Sequence, residues 1–151
     1  MSSKCDIDPI EGSQIKVGQY VIIRLQPCRI VKVNHVKNGK HGGAKFKISG
    51  FNMLTSKNID YTGPGDERVL QFKPIKTKLT LLNHSKNVFE CVDDQKVVTS
   101  ISVKPTEKYE EFIENYDADK EYAINILTVP ILIEEDDYND IHLLESYKEI
   151  E

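Results

Sequence analysis

A stretch of nine residues combines positive charge with unusual backbone freedom, and we call residues 37–45 the basic loop. It holds three lysines, three glycines and one histidine, and no acid or large apolar side chain. Its residues are Lys37, Asn38, Gly39, Lys40, His41, Gly42, Gly43, Ala44 and Lys45. Glycine adopts positive φ without steric penalty, so Asn38-Gly39 predicts a tight turn. Glycines allow close approach of the backbone and lysines attract anions, which suits contact with phosphate groups.

A simpler interpretation of the basic loop remains open beside this one. Lysine is common in exposed turns, where it serves solubility alone. A turn needs only one or two residues that adopt positive φ easily, whereas this stretch has three glycines. The composition of the loop does not decide between a solvated turn and a site for an anionic partner.

The elements that must position the loop are two predicted strands. Residues 29–33 alternate charged and apolar side chains, and residues 45–51 place Phe46 and Ile48 on one face. Such period-two alternation indicates half-buried strands. The sequence therefore predicts a hairpin with a basic tip, with Lys40 at or near that tip.

Other short strands surround this hairpin in the first half of the chain. Residues 18–25 predict a strand that Gln26-Pro27 ends, because proline cannot donate to a strand ladder. Residues 68–72 predict another strand, whereas the polar residues 1–12 predict a flexible lead-in. Several short strands with frequent turns indicate a small β-barrel.

Charge divides the chain near residue 72. Residues 1–72 hold eleven basic and six acidic side chains, whereas residues 73–151 hold nine lysines and eighteen acids. No acid stands between Glu11 and Asp60, although that interval holds nine basic residues. We therefore predict two domains, a basic one at 1–72 and an acidic one at 73–151. A positively charged half favours binding to nucleic acid. The same charge asymmetry also arises when two domains that are kept soluble by opposite charges are joined in one chain.

The second half predicts strands interrupted by one clear helix. Thr106 can cap a helix at 106–116, and its apolar stripe is Tyr109, Phe112, Ile113 and Tyr116. Three predicted strands precede this helix, and residues 122–133 form another that is interrupted at Pro130. Residues 140–150 predict a last amphipathic helix. A helix between the third and fourth strands is typical of an oligonucleotide-binding (OB) barrel. The helix tyrosines and Phe112 fit a helix core better than a base-stacking platform.

Several function classes find no support in the sequence. The three cysteines are scattered without the close spacing of a zinc site, and we expect reduced thiols. No set of residues resembles a nucleophile with its base or a phosphate-binding glycine fingerprint, so we expect no catalytic residue, no metal and no enzyme activity. No apolar run approaches membrane-spanning length, and we expect a cytoplasmic protein.

At the basic loop the sequence resembles the translation initiation factor 5A family. Residues 38–45 match six of eight positions of that family's hypusine loop, Thr-Gly-Lys-His-Gly-His-Ala-Lys. The departures are Asn38 for threonine and Gly43 for the second histidine. The sequence Pro27-Cys28-Arg29-Ile30-Val31 is similar to the family's Pro-Cys-Lys-Ile-Val strand, and the second half is similar in pattern only. The resemblance implies an SH3-like barrel followed by an OB-fold barrel with one helix after its third strand.

The resemblance also implies a function and partners. It implies a translation elongation and termination factor that binds the ribosome near the E site and relieves stalls such as those at consecutive prolines. The modified lysine falls on Lys40, with Lys37, Asn38, Gly39, His41, Gly42, Gly43 and Lys45 as RNA-binding or ribosome-binding residues.

The same resemblance implies a modification and an assembly state. Deoxyhypusine synthase would transfer an aminobutyl group from spermidine to Lys40, and deoxyhypusine hydroxylase would add a hydroxyl. The arm would steady the acceptor end of the P-site tRNA, no cofactor would be needed, and the chain would be a monomer or weak dimer. The alternative is a generic RNA-binding or RNA-chaperone module whose Lys40 is not modified.

Overall fold

Antiparallel strands make up most of the chain in the computed structural model, which describes residues 3–37, 44–134 and 137–150, without the side chain of Lys37. The described residues contain a single α-helix, so the prediction of a mostly β protein is confirmed. The chain divides into two units: the first comprises Met1–Lys73 and Pro130–Asn139, and the second comprises Pro74–Val129 and Asp140–Glu151.

The first unit is built on a six-stranded sheet. Its strands lie in the order β1-β6-β2-β3-β4-β5. They are β1 (Asp6–Glu11), β2 (Tyr20–Ile23), β3 (Gln26–Lys37), β4 (Ala44–Asn52), β5 (Asn58–Pro64) and β6 (Arg68–Lys73), with a short 3-10 turn at Gly12–Gln14. The buried core of the unit is Ile15, Val21, Ile23, Cys28, Ile30, Phe46, Ile48 and Val69. These side chains come from alternate positions of the strands, as a sheet with one buried face requires.

Two predictions for the beginning of this unit were wrong. Residues 1–12 were expected to be a flexible lead-in, but β1 pairs along β6 from Asp6↔Lys73 to Glu11↔Arg68. Backbone pairing with the distant β6, which local composition does not reveal, holds this polar segment in place. Likewise, Gln26-Pro27 does not end a strand but begins β3, since Pro27 pairs with Ile22.

The tight turn between β2 and β3 consists of Arg24 and Leu25. Both residues have positive φ, 49° and 71°, between the paired residues Ile23 and Gln26. A two-residue hairpin loop of type I′ needs positive φ at both positions, which Asn-Gly satisfies more easily. Neither Arg24 nor Leu25 is a turn-forming residue, which explains why the sequence pattern placed the turn two residues too late.

The second unit is built on a five-stranded sheet in the order β11-β10-β7-β8-β9. Its strands are β7 (Ile75–Ser85), β8 (Val88–Val92), β9 (Val98–Ser102), the part of β10 (Glu121–Glu134) up to residue 129 and the part of β11 (Asp137–Ile150) from residue 140. Its helix α1 spans Glu107–Asn115. A parallel bridge joins Val103, which follows β9, to His142 of β11. The helix follows the third strand of this unit, as predicted for an OB-fold barrel.

Helix α1 begins where its sequence predicts. The Thr106 hydroxyl accepts a hydrogen bond from the backbone N–H of Tyr109 at 3.3 Å. Tyr109 and Phe112 are buried, and the half-buried Tyr116 packs against the same core. The helix aromatics therefore belong to the core rather than to an exposed base-stacking platform, as expected.

The predicted last helix at 140–150 is wrong, because this segment is strand β11 beside β10. The Asn125 side-chain amide donates to Ser146 Oγ at 2.8 Å, and the Lys104 N–H donates to the His142 carbonyl at 2.8 Å. Pairing with distant strands thus overrides a local helical pattern. Strand β10 also continues through Pro130, which follows the last residue paired with β7, Thr128. The missing proline N–H therefore interrupts no bond to β7.

Candidate nucleic-acid interface

The basic loop is carried by a long hairpin of β3 and β4. The two strands pair antiparallel from Cys28↔Asn52 to Lys37↔Ala44, which confirms the predicted hairpin arms. The register shifts between Ile30 and Lys32, where β3 contains a bulge. The predicted loop residues Asn38, Gly39, Lys40, His41, Gly42 and Gly43 lie outside the described residues.

The outward side of the hairpin is rich in lysine. Lys32 pairs with Ser49, Asn34 with Lys47, and Val36 with Lys45, and partners in an antiparallel pair share a face. The three lysines are exposed. We call Lys32, Lys45 and Lys47 the lysine face. None of them forms an ion pair with another described residue, so their charges are available to a partner.

Few negative groups accompany the lysine face on the neighbouring strand. In β5, Lys45 lies opposite Pro64, Lys47 opposite Thr62 and Ser49 opposite Asp60. The Asp60 carboxylate accepts a hydrogen bond from Ser49 Oγ at 2.6 Å. Asp60 is thus the one acid opposite these three β4 positions, and it already has a partner. The surface keeps a net positive charge that attracts phosphate groups.

The opposite side of the hairpin is anchored by Phe46. Its side chain is fully buried and lies 5.7 Å, centroid to centroid, from the ring of Tyr61. Gly12 and Gly63 border the ring so closely that a Cβ at either position would press on it. Because Phe46 lies directly between Lys45 and Lys47 in β4, the buried ring fixes the backbone that presents those two lysines.

A second set of contacts holds the first residue of β4. The Gly65 N–H donates to the Ala44 carbonyl at 2.7 Å, and the Gly65 carbonyl accepts from the Ser13 N–H at 3.0 Å. Nearby, the Tyr61 hydroxyl lies 2.8 and 2.9 Å from the two carboxylate oxygens of Glu67. This hydrogen bond and partial burial raise the pKa of Tyr61. The arm that leads out of the basic loop is therefore fixed at its base.

The structure places only part of the predicted site. Lys45 is exposed on the lysine face, and Lys37 ends β3, with its side chain outside the described part. Lys32 and Lys47 were not predicted as site residues, although they share the face of Lys45. The signal that could have found them is the period-two alternation of the two arms, combined with the register of the hairpin.

The described residues offer little support for other kinds of site. No group of three or more His, Cys, Asp or Glu side chains among them could hold a metal ion. The described part of the chain also has no helix long and apolar enough to cross a membrane. Burial raises the pKa of the Cys28 and Cys91 thiols to about 11. A thiol with so high a pKa is a poor nucleophile.

Comparisons with known proteins agree with this fold. The first barrel carries the basic hairpin, and the second barrel follows it along the chain. Residues 5–67 match the family model described as "Translation initiation factor 5A-like, N-terminal". These residues are therefore similar to the N-terminal part of translation initiation factor 5A-like proteins.

Curated relatives match a stretch of similar length. The chain is 40% identical over 60 residues to translation initiation factor 5A of Methanococcus aeolicus, which is 40% of this chain and 46% of that protein. It is also 40% identical over 55 residues to the factor of Sulfurisphaera tokodaii, covering 36% of this chain and 42% of the other. The aligned region thus spans about half the length of the curated relatives it matches.

Solved structures extend the likeness in fold to most of the chain. A translation initiation factor eIF-5A family protein of Naegleria fowleri matches with a TM-score of 0.76 at 20% identity, over 94% of this chain and 98% of the other. The factor of Methanococcus jannaschii matches with a TM-score of 0.61 at 23% identity, over 91% and 94%. The two-barrel architecture, SH3-like and then OB-fold, is therefore confirmed.

Proposed function

We propose that this chain is a cytoplasmic translation factor that binds the ribosome and acts through a hypusine-modified Lys40. The observation that carries the proposal is the family match of residues 5–67, because that region contains Lys40 and both arms of the hairpin. The relatives matched there are named translation initiation factors. The exposed lysine face beside the loop supplies positive charge for an RNA partner.

The chemistry of the modification explains how one side chain could serve translation. A lysine is a compact cation on a flexible stem. Transfer of an aminobutyl group from spermidine by deoxyhypusine synthase lengthens that stem, and deoxyhypusine hydroxylase adds a hydroxyl. The longer arm has two cationic amines and a further hydrogen-bonding group, which can bridge phosphates and ribose hydroxyls.

The proposed arm acts on the acceptor end of the P-site tRNA. If the factor sits near the E site, the arm orders the reacting tRNA end, and the ribosome performs the chemistry. Positioning alone can accelerate a slow reaction such as bond formation at consecutive prolines. This role needs no catalytic group or cofactor in the chain itself.

The lysine face contributes affinity rather than chemistry in this proposal. Lys32, Lys45 and Lys47 lie on the paired arms of the hairpin. Contacts from such lysines to RNA phosphates position a protein without reading sequence. They would hold the hairpin in place while the basic loop reaches the tRNA.

The first test is peptide mass spectrometry of the protein isolated from cells in which both modifying enzymes are active. We expect a mass increase equal to hypusine, localised to Lys40, with Lys37 and Lys45 unmodified. An unmodified Lys40 in those cells would contradict the proposal.

The second test is a translation assay with a reporter that contains consecutive prolines. Lys40→Arg keeps the positive charge but cannot accept the aminobutyl arm, so we expect full loss of stall relief. Lys76→Arg is the matched control, because Lys76 is an exposed lysine of β7. If Lys40→Arg supported polyproline synthesis as well as the control, modified Lys40 would not be the acting group.

A generic RNA-binding module is the second candidate, and the exposed lysine face favours it. In that case binding is shared among Lys32, Lys45 and Lys47 and weakens with salt, and loss of Lys40 alone matters little. RNA affinity that is unchanged by Lys40→Arg, together with normal stall relief, would select this candidate.

A further inference from the structure

The first unit contains a pocket of about 370 Å³ that none of the proposed roles uses. Its apolar lining comes from the end of β2, from β6 and from residue 132, all assigned to the first unit. Ile22, Ile23 and Val69 are buried, and Leu70 and Leu132 are half-buried. Ligand pockets are concave, largely apolar and contain a few well-placed polar groups. This volume lies near the small end of their range, about 300–1,000 Å³.

Two arginines also line this pocket. They are Arg24 and Arg68, two of the three arginines in the sequence. Both residues are exposed, and neither side chain makes a hydrogen bond or an ion pair with another described residue. Arginine presents donors in a planar fork that matches a carboxylate. The pocket therefore combines an apolar floor with unused donors.

The position of Arg24 is fixed by the backbone around it. Arg24 and Leu25 form the positive-φ turn between β2 and β3. The Leu25 carbonyl accepts a hydrogen bond from the Leu132 N–H at 3.1 Å. This bond joins the turn to Leu132, which forms part of the apolar lining, so the backbone that carries Arg24 is held beside that lining.

The single acid in the lining sets the charge that the pocket can accept. The Glu67 carboxylate is engaged by the Tyr61 hydroxyl, and both residues line the pocket. One carboxylate beside two guanidinium groups leaves one positive charge in excess. That excess matches a singly charged anion better than a doubly charged phosphate ester.

We propose that this pocket binds a small monocarboxylate with an apolar body, such as a single ring on a short chain. The apolar body lies on Ile22, Val69 and Leu132, and the carboxylate accepts hydrogen bonds from Arg24 and Arg68. The site is separate from the proposed role of Lys40, and its test involves no translation, so the two proposals fail independently.

The test is a titration of the ¹⁵N-labelled full chain with 4-phenylbutyrate, followed by two-dimensional NMR. We expect saturable amide shifts at Ile22, Ile23 and Leu70. The neutral analogue 4-phenylbutan-1-ol and the dianion phenyl phosphate should bind more weakly. Arg24→Gln and Arg68→Gln should each raise the Kd about tenfold, since each removes a charge-assisted hydrogen bond.

Matched variants separate the pocket from general effects of charge. Arg29→Gln removes the same charge from an exposed arginine that does not line the pocket, and should leave the Kd unchanged. Leu70→Trp keeps both arginines but fills the pocket, and should abolish the shifts. The spectra also show whether each variant is folded. If Leu70→Trp does not fold, the Kd values of Arg24→Gln and Arg68→Gln test the proposal.

The proposal is overturned by equal binding of the alcohol, by tighter binding of phenyl phosphate, by equal weakening in Arg29→Gln, or by shifts that do not saturate.

Discussion

The ring of Phe46 lies directly against the α-carbon of Gly12. A Cβ at Gly12 would overlap the Cγ, Cδ1 and Cε1 atoms of that ring. Gly12 is buried directly after β1, and its N–H donates to the Glu67 carbonyl at 2.8 Å. The absence of a side chain at position 12 is therefore what allows Phe46 to anchor strand β4 and its two lysines.

We expect Gly12→Ala to destabilise the first unit. The added methyl group has no space unless the Phe46 ring or the strand backbone moves, and overpacking of this kind typically costs about 1–3 kcal/mol. Urea unfolding measures the change in the free energy of unfolding. Ser13→Ala, which alters an exposed neighbour, is the control and should be close to neutral. Equal stability of Gly12→Ala and wild type would mean that the Phe46 contact is not tight.

Tyr61→Phe should weaken the base of the hairpin and change its dependence on alkaline pH. Loss of the hydroxyl removes the hydrogen bond to Glu67, at a cost of about 1 kcal/mol. The pKa of Tyr61 is raised in the folded state. The hydrogen bond to Glu67 therefore contributes fully to the free energy of unfolding below the unfolded pKa, about 10, and this contribution is lost as pH rises through the folded pKa.

Unfolding free energies measured across that alkaline range should therefore fall less steeply for Tyr61→Phe than for wild type. Tyr20→Phe is the control, because no hydrogen bond of the Tyr20 hydroxyl is found in the described part of the chain. Parallel pH curves for wild type and Tyr61→Phe would contradict the role of the Tyr61–Glu67 pair.

The thiols of Cys28 and Cys91 should resist alkylation in the folded protein. Both are fully buried, and burial raises the pKa of each thiol to about 11. At pH 8 a thiol with this pKa is about one part in a thousand thiolate, and the thiolate is the reactive form. Iodoacetamide labelling followed by peptide mass spectrometry should modify both residues only after unfolding in urea. Rapid labelling of either residue without denaturant would contradict this burial.

Removal of the cap of helix α1 should destabilise the second unit. The Thr106 hydroxyl accepts from the Tyr109 N–H, and the Thr106 carbonyl accepts from the Glu110 N–H at 3.0 Å. Thr106→Ala removes the hydroxyl and should cost about 1 kcal/mol of unfolding free energy. Thr106→Ser retains the hydroxyl and should recover most of that loss in the same denaturation experiment. If serine were no better than alanine, the methyl group rather than the cap would matter.

The lysine face should contribute to the salt dependence of RNA binding. If Lys45 and Lys47 each contact one phosphate of a single strand, replacement of either by glutamine should reduce the slope of log K against log salt by about 0.7. Titration of a fluorescent uridine homopolymer at several salt concentrations measures that slope. Lys76→Gln, outside the lysine face, should leave it unchanged. Slopes identical to wild type would exclude both lysines from the contact.

Local patterns in the sequence were enough to predict the elements whose residues carry their own signal. The hairpin arms follow from alternation around Phe46 and Ile48, and helix α1 follows from Thr106 and its aromatic stripe. The fold class also follows from these patterns together with the resemblance at the basic loop. In each case, the information needed lies within a few residues of the element itself.

The remaining elements depend on pairing with other strands, which their own residues do not reveal. Strand β1 exists because β6 offers a partner, and β11 is a strand because it pairs beside β10, although its own apolar spacing favours a helix. Lys32 and Lys47 join the site only through the register of β3 with β4. The pocket likewise requires Arg24, Arg68 and Leu132 to meet, which no local spacing predicts.

The first unit is discontinuous in sequence, since residues 130–139 belong to it together with residues 1–73. A ribosome synthesises the early segment well before Leu132 emerges, so the Leu25 carbonyl cannot receive its partner until most of the chain has left the exit tunnel. The Arg24-Leu25 turn therefore gains this tie only after the earlier strands of the unit have been made. A chain truncated before residue 132 would leave the Leu25 carbonyl without this partner and the pocket without part of its apolar lining.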